Sequence, residues 1–129
     1  MTNNDILKRL RYLLDYNDGK MTDVYKLANE EIVKATMTNW LKKDDDTTLI
    51  EISDRDLSIF LNGLIIEKRG KREGPQPQPE DELSNNMILR KLRVAFDLKT
   101  DDILILLQSI DKNISKHELS SFFRSPDHK

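Results

Sequence analysis

The sequence has 129 residues, of which 37% are apolar and 34% charged, with no cysteine and two histidines. This length fits one modest domain or two small helical ones, and we find no apolar run long enough to span a membrane and no export signal. The lack of cysteine excludes disulfides and thiolate metal sites, and His117 and His128 alone cannot form a histidine-rich one. A net charge of −2 gives no overall attraction to nucleic acid or an anionic membrane. We therefore expect a cytoplasmic protein without a metal, a cofactor or a membrane contact.

An internal duplication organises the chain. Residues 2–47 align without a gap with residues 84–129, and ten of the 46 aligned pairs are identical, where roughly three are expected by chance. Each copy has 18 apolar positions and 15 of them coincide, against about seven for independent patterns. Because apolar periodicity determines the buried faces, we predict an all-α tandem repeat of small three- to four-helix units.

The first predicted helix of each repeat begins after a good N-cap, Thr2 or Ser84. Arg11 and Asp15, which lie four residues apart, are predicted to pair on its solvent side. Apolar residues at helical spacing are predicted to face the core. They are Ile6, Leu7, Leu10, Leu13 and Leu14 in the first repeat, and Ile88, Leu89, Leu92, Ala95 and Phe96 in the second.

A second and a third helix follow in each repeat. The second is predicted from about Lys20 to Ala28 and from Thr100 to Ile110, and the third near Val33 to Lys42 and near Ser115 to Arg124. Their outline is that of a helix-turn-helix, in which a small residue, a turn residue and three apolar positions recur at fixed spacing. The second repeat fits this pattern better than the first. The positions are Ser109, Asn113, Ile114, Leu119 and Phe122, and in the first repeat Leu27, Glu31, Ile32, Met37 and Trp40.

If the third helix entered a major groove, polar and basic side chains on its outer side would contact bases and phosphates. Only residues 84–129 are net positive, and a helix pair with a short turn is also an ordinary way to pack helices. The acidic run Asp44–Asp46 lacks the spacing of a calcium loop and is predicted to be a solvated helix end. The candidate nucleic-acid contacts are Lys34, Thr38, Asn39, Lys42, Lys116, Ser120, Ser121 and Arg124.

A fourth helix is predicted from Asp54 to about Arg69, with Ser53 as its N-cap. Gly63 inside this helix is costly unless another backbone packs close to it. Three alternating prolines then favour an extended spacer. The predicted units are residues 1–69, a proline-rich linker over 70–83, and residues 84–129. The apolar residues predicted to be buried in the fourth helix are Leu57, Phe60, Leu61, Leu64 and Ile65.

The second repeat has no counterpart of this fourth helix within the sequence. Since the repeats share their apolar positions, the second repeat is predicted to have the same surface to cover. We expect Leu92, Phe96, Leu119 and Phe123 either to be exposed or to be buried against the first repeat or another chain. Burial against another copy of the chain would produce a homo-oligomer.

Five segments of the chain together carry a likeness to a known family: Thr2–Leu7, Asn85–Arg90, Phe60–Leu64, Lys68–Lys71 and Ser115–Leu119. They resemble the YehS-like family of small bacterial proteins, and the likeness extends over the whole chain. The resemblance implies a bacterial origin and a tandem helical layout, and it supplies no catalytic or binding residues. Members of that family usually continue past the equivalent of residues 126–129 into a second copy of the fourth helix.

No motif for catalysis is found in the sequence, which has no glycine-rich phosphate loop, nucleophile elbow or zinc-binding histidine pair. We therefore expect a non-enzymatic module that binds a macromolecule, protein rather than nucleic acid, through helical surfaces. A helix-turn-helix nucleic-acid binder is the alternative.

Overall fold

The computed structural model describes residues 2–96, where the only regular secondary structure is helical. Five helices follow in chain order: α1 Asn3–Leu14, α2 Asp18–Lys26, α3 Lys34–Trp40, α4 Asp54–Arg69 and α5 Asn85–Phe96. The all-α prediction is confirmed for this part of the chain. The second and third helices predicted for the second repeat lie outside the described residues, as do Leu119 and Phe123. Within residues 2–96 no helix is long and apolar enough to cross a membrane.

Side-chain caps fix where the helices begin. The Thr2 hydroxyl accepts a hydrogen bond from the Asp5 amide at 3.1 Å, and the Asp5 carboxylate accepts one from the Thr2 amide. Ser53 caps α4 and Ser84 caps α5 by accepting hydrogen bonds from the amides of the third residue of each helix. These three caps were predicted. Helix α2 begins two residues earlier than predicted because Asn17 caps it, accepting from the Lys20 amide at 2.8 Å.

Helix α4 lies at the centre of the part of the chain that the structure describes. The predicted core residues Leu57, Phe60, Leu61 and Leu64 are at most 1% exposed, and Ile65 is half-buried against them. The intervening residues 58, 59, 62 and 63 are buried as well, because α2 and α5 both pack on α4. Because neighbouring helices cover α4 on more than one side, consecutive residues along it are buried and no solvent-exposed face remains in this stretch.

The close approach expected at Gly63 is confirmed. A Cβ atom at this position would lie 1.9 Å from the carbonyl oxygen of Val24, which is a backbone atom of α2. Only glycine therefore allows α2 and α4 to pack at this distance.

Helix α5 joins the core of the first repeat. Leu92 is 1% exposed and its counterpart Leu10 is fully buried, and both belong to one cluster of core side chains. Ile88 and Ala95 are buried in the same cluster, and Phe96 packs against it. Leu92 and Phe96 therefore pack against the first repeat, which is one of the outcomes predicted for them.

The linker is non-helical, as its prolines predict, but its last residues are bound to α4. The Leu83 amide donates to Asp54 Oδ2 at 2.9 Å, and the Glu80 amide donates to the Ser58 hydroxyl at 3.0 Å. Lys91 of α5 pairs with Glu80 at 3.0 Å. This end of the linker holds α5 beside α4.

Two predictions for α1 are wrong. Leu13 shares the helical face of Leu10 but lies in the last turn, where its side chain is 46% exposed. The apolar periodicity shows which face of a helix is buried. It does not show how much of the helix length the neighbouring helices cover. Arg11 pairs with Asp18 of α2 at 3.2 Å rather than with Asp15, which adopts a left-handed conformation (φ 56°) where α1 ends.

Candidate functional site

The first repeat departs from the helix-turn-helix pattern. Residues 27–33 connect α2 to α3, and these seven residues exceed the three or four of that motif. The left-handed turn residue is Asn29 (φ 62°), not the predicted Glu31, which is exposed. Two of the predicted apolar positions, Met37 and Trp40, are buried, whereas Leu27 is 40% exposed. The helix pair is therefore an ordinary packed pair in this repeat.

Three of the four candidate nucleic-acid contacts in the first repeat have partners within the chain. Thr38 donates a hydrogen bond from its hydroxyl to Asp18 at 2.9 Å. Asn39 bonds the carbonyl of Thr48 and the amide of Ile50, both at 2.8 Å. The ammonium of Lys42 donates to the Thr48 hydroxyl at 2.7 Å. These side chains tie α3 to its surroundings.

The fourth candidate, Lys34, is exposed at the first position of α3. The four candidates of the second repeat lie outside the described residues. They are Lys116, Ser120, Ser121 and Arg124.

The acidic run after α3 is exposed, as predicted. Asp44 pairs with Lys8, which also donates to the Lys42 carbonyl at 3.1 Å. Hydrogen bonds from the Thr48 amide and hydroxyl to Asp46 hold the pKa of that carboxyl below its ordinary value. No group of three or more His, Cys, Asp or Glu residues within residues 2–96 is arranged to hold a metal ion.

An open cleft of about 410 Å³ lies between the end of α2, the start of α3 and the first turn of α4. We call it the acidic cleft. Two carboxylates, two aromatic rings and three smaller side chains form its wall, and none of the lining residues is basic. The lining residues are Tyr25, Glu31, Ile32, Val33, Thr36, Trp40 and Asp56.

A fixed polar contact lies in the wall of the acidic cleft. The Tyr25 hydroxyl donates to Asp56 Oδ1 at 2.8 Å, and the Ser53 hydroxyl lies 3.0 Å from Asp56 Oδ2. Burial raises the pKa of Tyr25, and the Asp56 hydrogen bond and charge raise it further, so the phenol stays protonated. The rings of Tyr25 and Trp40 are 6.0 Å apart at an angle of 51°. The aromatic part of the wall is therefore neutral.

Sequence reasoning missed the acidic cleft. Trp40 was singled out only as an apolar helix position, and Tyr25 and Asp56 are 31 residues apart. Carboxylates such as Asp56 are common in the first turn of helices because they favour the positive end of the helix dipole. Nothing in the local sequence distinguishes Asp56 from other carboxylates at helix starts.

Comparison with known proteins places the chain in a family. Residues 3–70 and 85–129 match the family described as a protein of unknown function, DUF1456. The two matched segments begin 82 residues apart, which is the offset of the predicted duplication. The chain is 44% identical over 130 residues to the uncharacterized protein YehS of Escherichia coli (strain K12), a match that covers all of this chain and 83% of the relative. No solved structure matches. The chain therefore belongs to the DUF1456 family of proteins of unknown function.

Proposed function

We propose that the chain is a non-enzymatic, cytoplasmic protein-interaction module that binds a basic side chain of a partner protein in the acidic cleft. One observation carries this proposal. Glu31 and Asp56 share an open cleft with Tyr25 and Trp40, and the lining contains no lysine or arginine.

Lysine and arginine side chains fit such a cleft for two reasons. Their methylene groups pack on accessible apolar surface such as Ile32 and Val33, and their charged ends remain at the wetter rim. Hydrogen bonds between charged partners are roughly twice as strong as neutral ones, so Glu31 and Asp56 favour a cation over a neutral group. Arg55, whose charge also acts on Tyr25, is paired with Asp81 at 3.0 Å.

The polar groups of the acidic cleft support binding rather than catalysis. Asp56 accepts hydrogen bonds from Tyr25 and also anchors the first turn of α4 through Ser53. The raised pKa of the Tyr25 phenol makes it a poor proton donor to a substrate, and both Asp56 oxygens already accept hydrogen bonds, from Tyr25 and Ser53.

The nucleic-acid alternative has less support in the first repeat. Thr38, Asn39 and Lys42 are bonded within the chain, and the neighbouring cleft carries carboxylates that would repel phosphate. Retardation of random duplex DNA at low salt, lost in the double variant Lys116→Glu with Arg124→Glu, would support that alternative.

Fluorescence of Trp40 tests the proposal, since this is the single tryptophan and it lines the cleft. The probe is the peptide acetyl-Leu-Arg-Leu-amide, titrated into the full chain. We expect a saturable change with a Kd of roughly 1 mM, as befits a ligand this small. The same peptide with norleucine in place of arginine is expected to give none.

The variant Glu31→Gln removes one carboxylate at an exposed position, where we expect the fold to be unchanged. It is expected to weaken peptide binding severalfold, whereas Glu51→Gln, an exposed acid outside the cleft lining, leaves it unchanged. A fluorescence change of equal size in wild type and Glu31→Gln, or none up to ~10 mM peptide, would contradict the proposal.

A further inference from the structure

A smaller pocket of about 70 Å³ lies beside the start of the linker, and we call it the linker pocket. The turn that ends α2 forms one wall through Leu27 and Ala28, and the last turns of α4 form another through Ile65 and Ile66. Pro77 of the linker closes the third side. Leu27 is 40% exposed and the two isoleucines are half-buried, so these apolar walls are not closed off inside the core.

Two glycines and one side chain shape the linker at this pocket. Gly70 and Gly74 have positive φ angles of 86° and 78°, where other residues are strained, and Gly70 turns the chain away from the end of α4. The side-chain amide of Gln76 donates hydrogen bonds to the carbonyls of Arg72 and Gly74, at 2.7 and 3.2 Å. The loop is therefore held by its own bonds, and the wall that it supplies is formed without a ligand.

The rim of the linker pocket is basic. Residues 68–73 carry four basic side chains and one acidic one, a net charge of +3, and the four basic residues are exposed. They are Lys68, Arg69, Lys71 and Arg72. Arg72 also lines the pocket, and none of the described residues that line it is acidic. An apolar pocket therefore lies next to a concentrated positive charge, which is the reverse of the acidic cleft.

Size and charge together limit what the linker pocket can bind. Its volume is about half of the roughly 150 Å³ of a cavity that takes benzene, so a short aliphatic side chain fits it, whereas an aromatic ring or a nucleobase does not. The basic rim favours carboxylates, whose hydrogen bonds to arginine and lysine are charge-assisted. Residues 97–129 of this chain carry six acidic and five basic side chains, so they offer the rim a net charge of only −1.

We propose that the linker pocket binds an acidic peptide segment of a partner protein. A leucine, isoleucine or valine side chain of that segment packs on Leu27, Ile65 and Ile66, which removes its apolar surface from water. Carboxylates on either side of it pair with Lys71 and Arg72. This site is separate from the acidic cleft, takes a segment of the opposite charge and does not depend on it.

The first test titrates the peptide acetyl-Glu-Asp-Leu-Asp-Glu-amide into the full chain and follows the isoleucine methyl signals by NMR. We expect the signals of Ile65 and Ile66 to shift in a saturable way with a Kd on the order of 1 mM, as befits a short peptide. The signal of Ile50, which is exposed after α3, is expected to stay unchanged. The same peptide with serine in place of leucine is expected to bind at least tenfold more weakly. Equal binding of the two peptides, or no shift of Ile65 and Ile66 up to ~10 mM, would overturn the proposal.

The second test changes the pocket and the rim separately. Ala28→Leu fills the pocket, and Lys71→Glu with Arg72→Glu reverses the charge of the rim. Each variant is expected to weaken binding at least tenfold while its helical circular dichroism stays that of wild type. Arg9→Glu with Lys43→Glu makes the same charge change at exposed positions outside the pocket lining, and salt screening is expected to keep its affinity within about threefold of wild type. Wild-type affinity in the folded pocket variant or in the rim variant would overturn the proposal.

Two other occupants would give different results. Single-stranded DNA that binds wild type and Ala28→Leu equally, but not the rim variant, would overturn the proposal, because the basic rim alone would then bind nucleic acid. A dimer in light scattering that Ala28→Leu dissociates would also overturn it, since a second copy of this chain would then fill the pocket.

Discussion

Gly63 sets the distance between two helices. Its missing side chain lets the Val24 carbonyl of α2 approach α4, and the two helices share much of the core. The neighbouring residue Asn62 is also buried and accepts a hydrogen bond from Lys91 of α5 at 2.6 Å. The packing of α2 on α4 therefore depends on the small residue Gly63, and Asn62 contributes a hydrogen bond to the packing of α5 on α4.

Gly63→Ala is expected to destabilise the protein by about 1–3 kcal/mol, because the new methyl group overlaps a backbone atom that cannot rotate away. Urea denaturation followed by circular dichroism measures the loss. Gly19→Ala is the matched control, since a Cβ there meets only a side-chain oxygen at 3.4 Å and alanine favours the helix. Equal stability of Gly63→Ala and wild type would show that α2 moves away at little cost.

A residue whose role depends only on residues close to it in the sequence was predictable. Thr2, Ser53 and Ser84 cap helices through bonds three residues away, and local sequence carries that signal. The contact between Tyr25 and Asp56 is different, since it depends on how α2 packs on α4. Asn4 is a similar case, because the Trp40 and Ile50 carbonyls that its side chain binds lie 36 and 46 residues away in the sequence.

At the scale of elements, the linker differs most from expectation. Its prolines correctly predicted a non-helical segment, yet its end is fastened to α4 by carboxylates rather than acting as a free spacer. Asp54 and Glu80 are ordinary surface residue types in the sequence. Their partners Leu83 and Ser58 lie 29 and 22 residues away, beyond the reach of periodicity or capping rules.

Acid is expected to weaken the attachment of the linker. Hydrogen bonds from Asn3 and from the Leu83 amide lower the pKa of Asp54 below its ordinary value of 3.8. Burial alone would raise the pKa of Glu80, but hydrogen bonds from Ser58 and Lys91 outweigh it and lower that pKa below 4.5. Depressed carboxyl pKa values contribute stability that is complete above the ordinary values and is lost as the pH falls through the lowered ones.

Thermal unfolding measured between pH 7 and pH 3 by circular dichroism tests this contribution. We expect Tm to fall below about pH 4.5, and to fall less steeply in the double variant Asp54→Asn with Glu80→Gln. Arg55→Gln, which breaks the exposed pair with Asp81, is expected to follow wild type. An acid dependence as steep in the double variant as in wild type would assign the effect to other carboxylates.

At the scale of the whole molecule, the first helix of the predicted second repeat belongs to the core of the first. Helix α4 is covered by α2 and by α5, and Leu92 lies in the same cluster as Leu10 and Phe60. The duplication predicted that α1 and α5 bury equivalent faces, but it could not show which residues cover those faces. That depends on the path of the linker, which returns the chain to α4. We infer that α1–α5 unfold as one cooperative unit.

The most direct test of this shared core follows the fluorescence of Trp40, in the first repeat, while the core is changed at Leu92, in the second. Leu92→Ala is expected to shift the urea unfolding transition seen at Trp40 by roughly 2–5 kcal/mol, as for a fully buried leucine. Val94→Ala, 52% exposed on the same helix, is expected to shift it by less than about 0.5 kcal/mol. An unchanged Trp40 transition in Leu92→Ala would contradict the account, since the two repeats would then unfold independently.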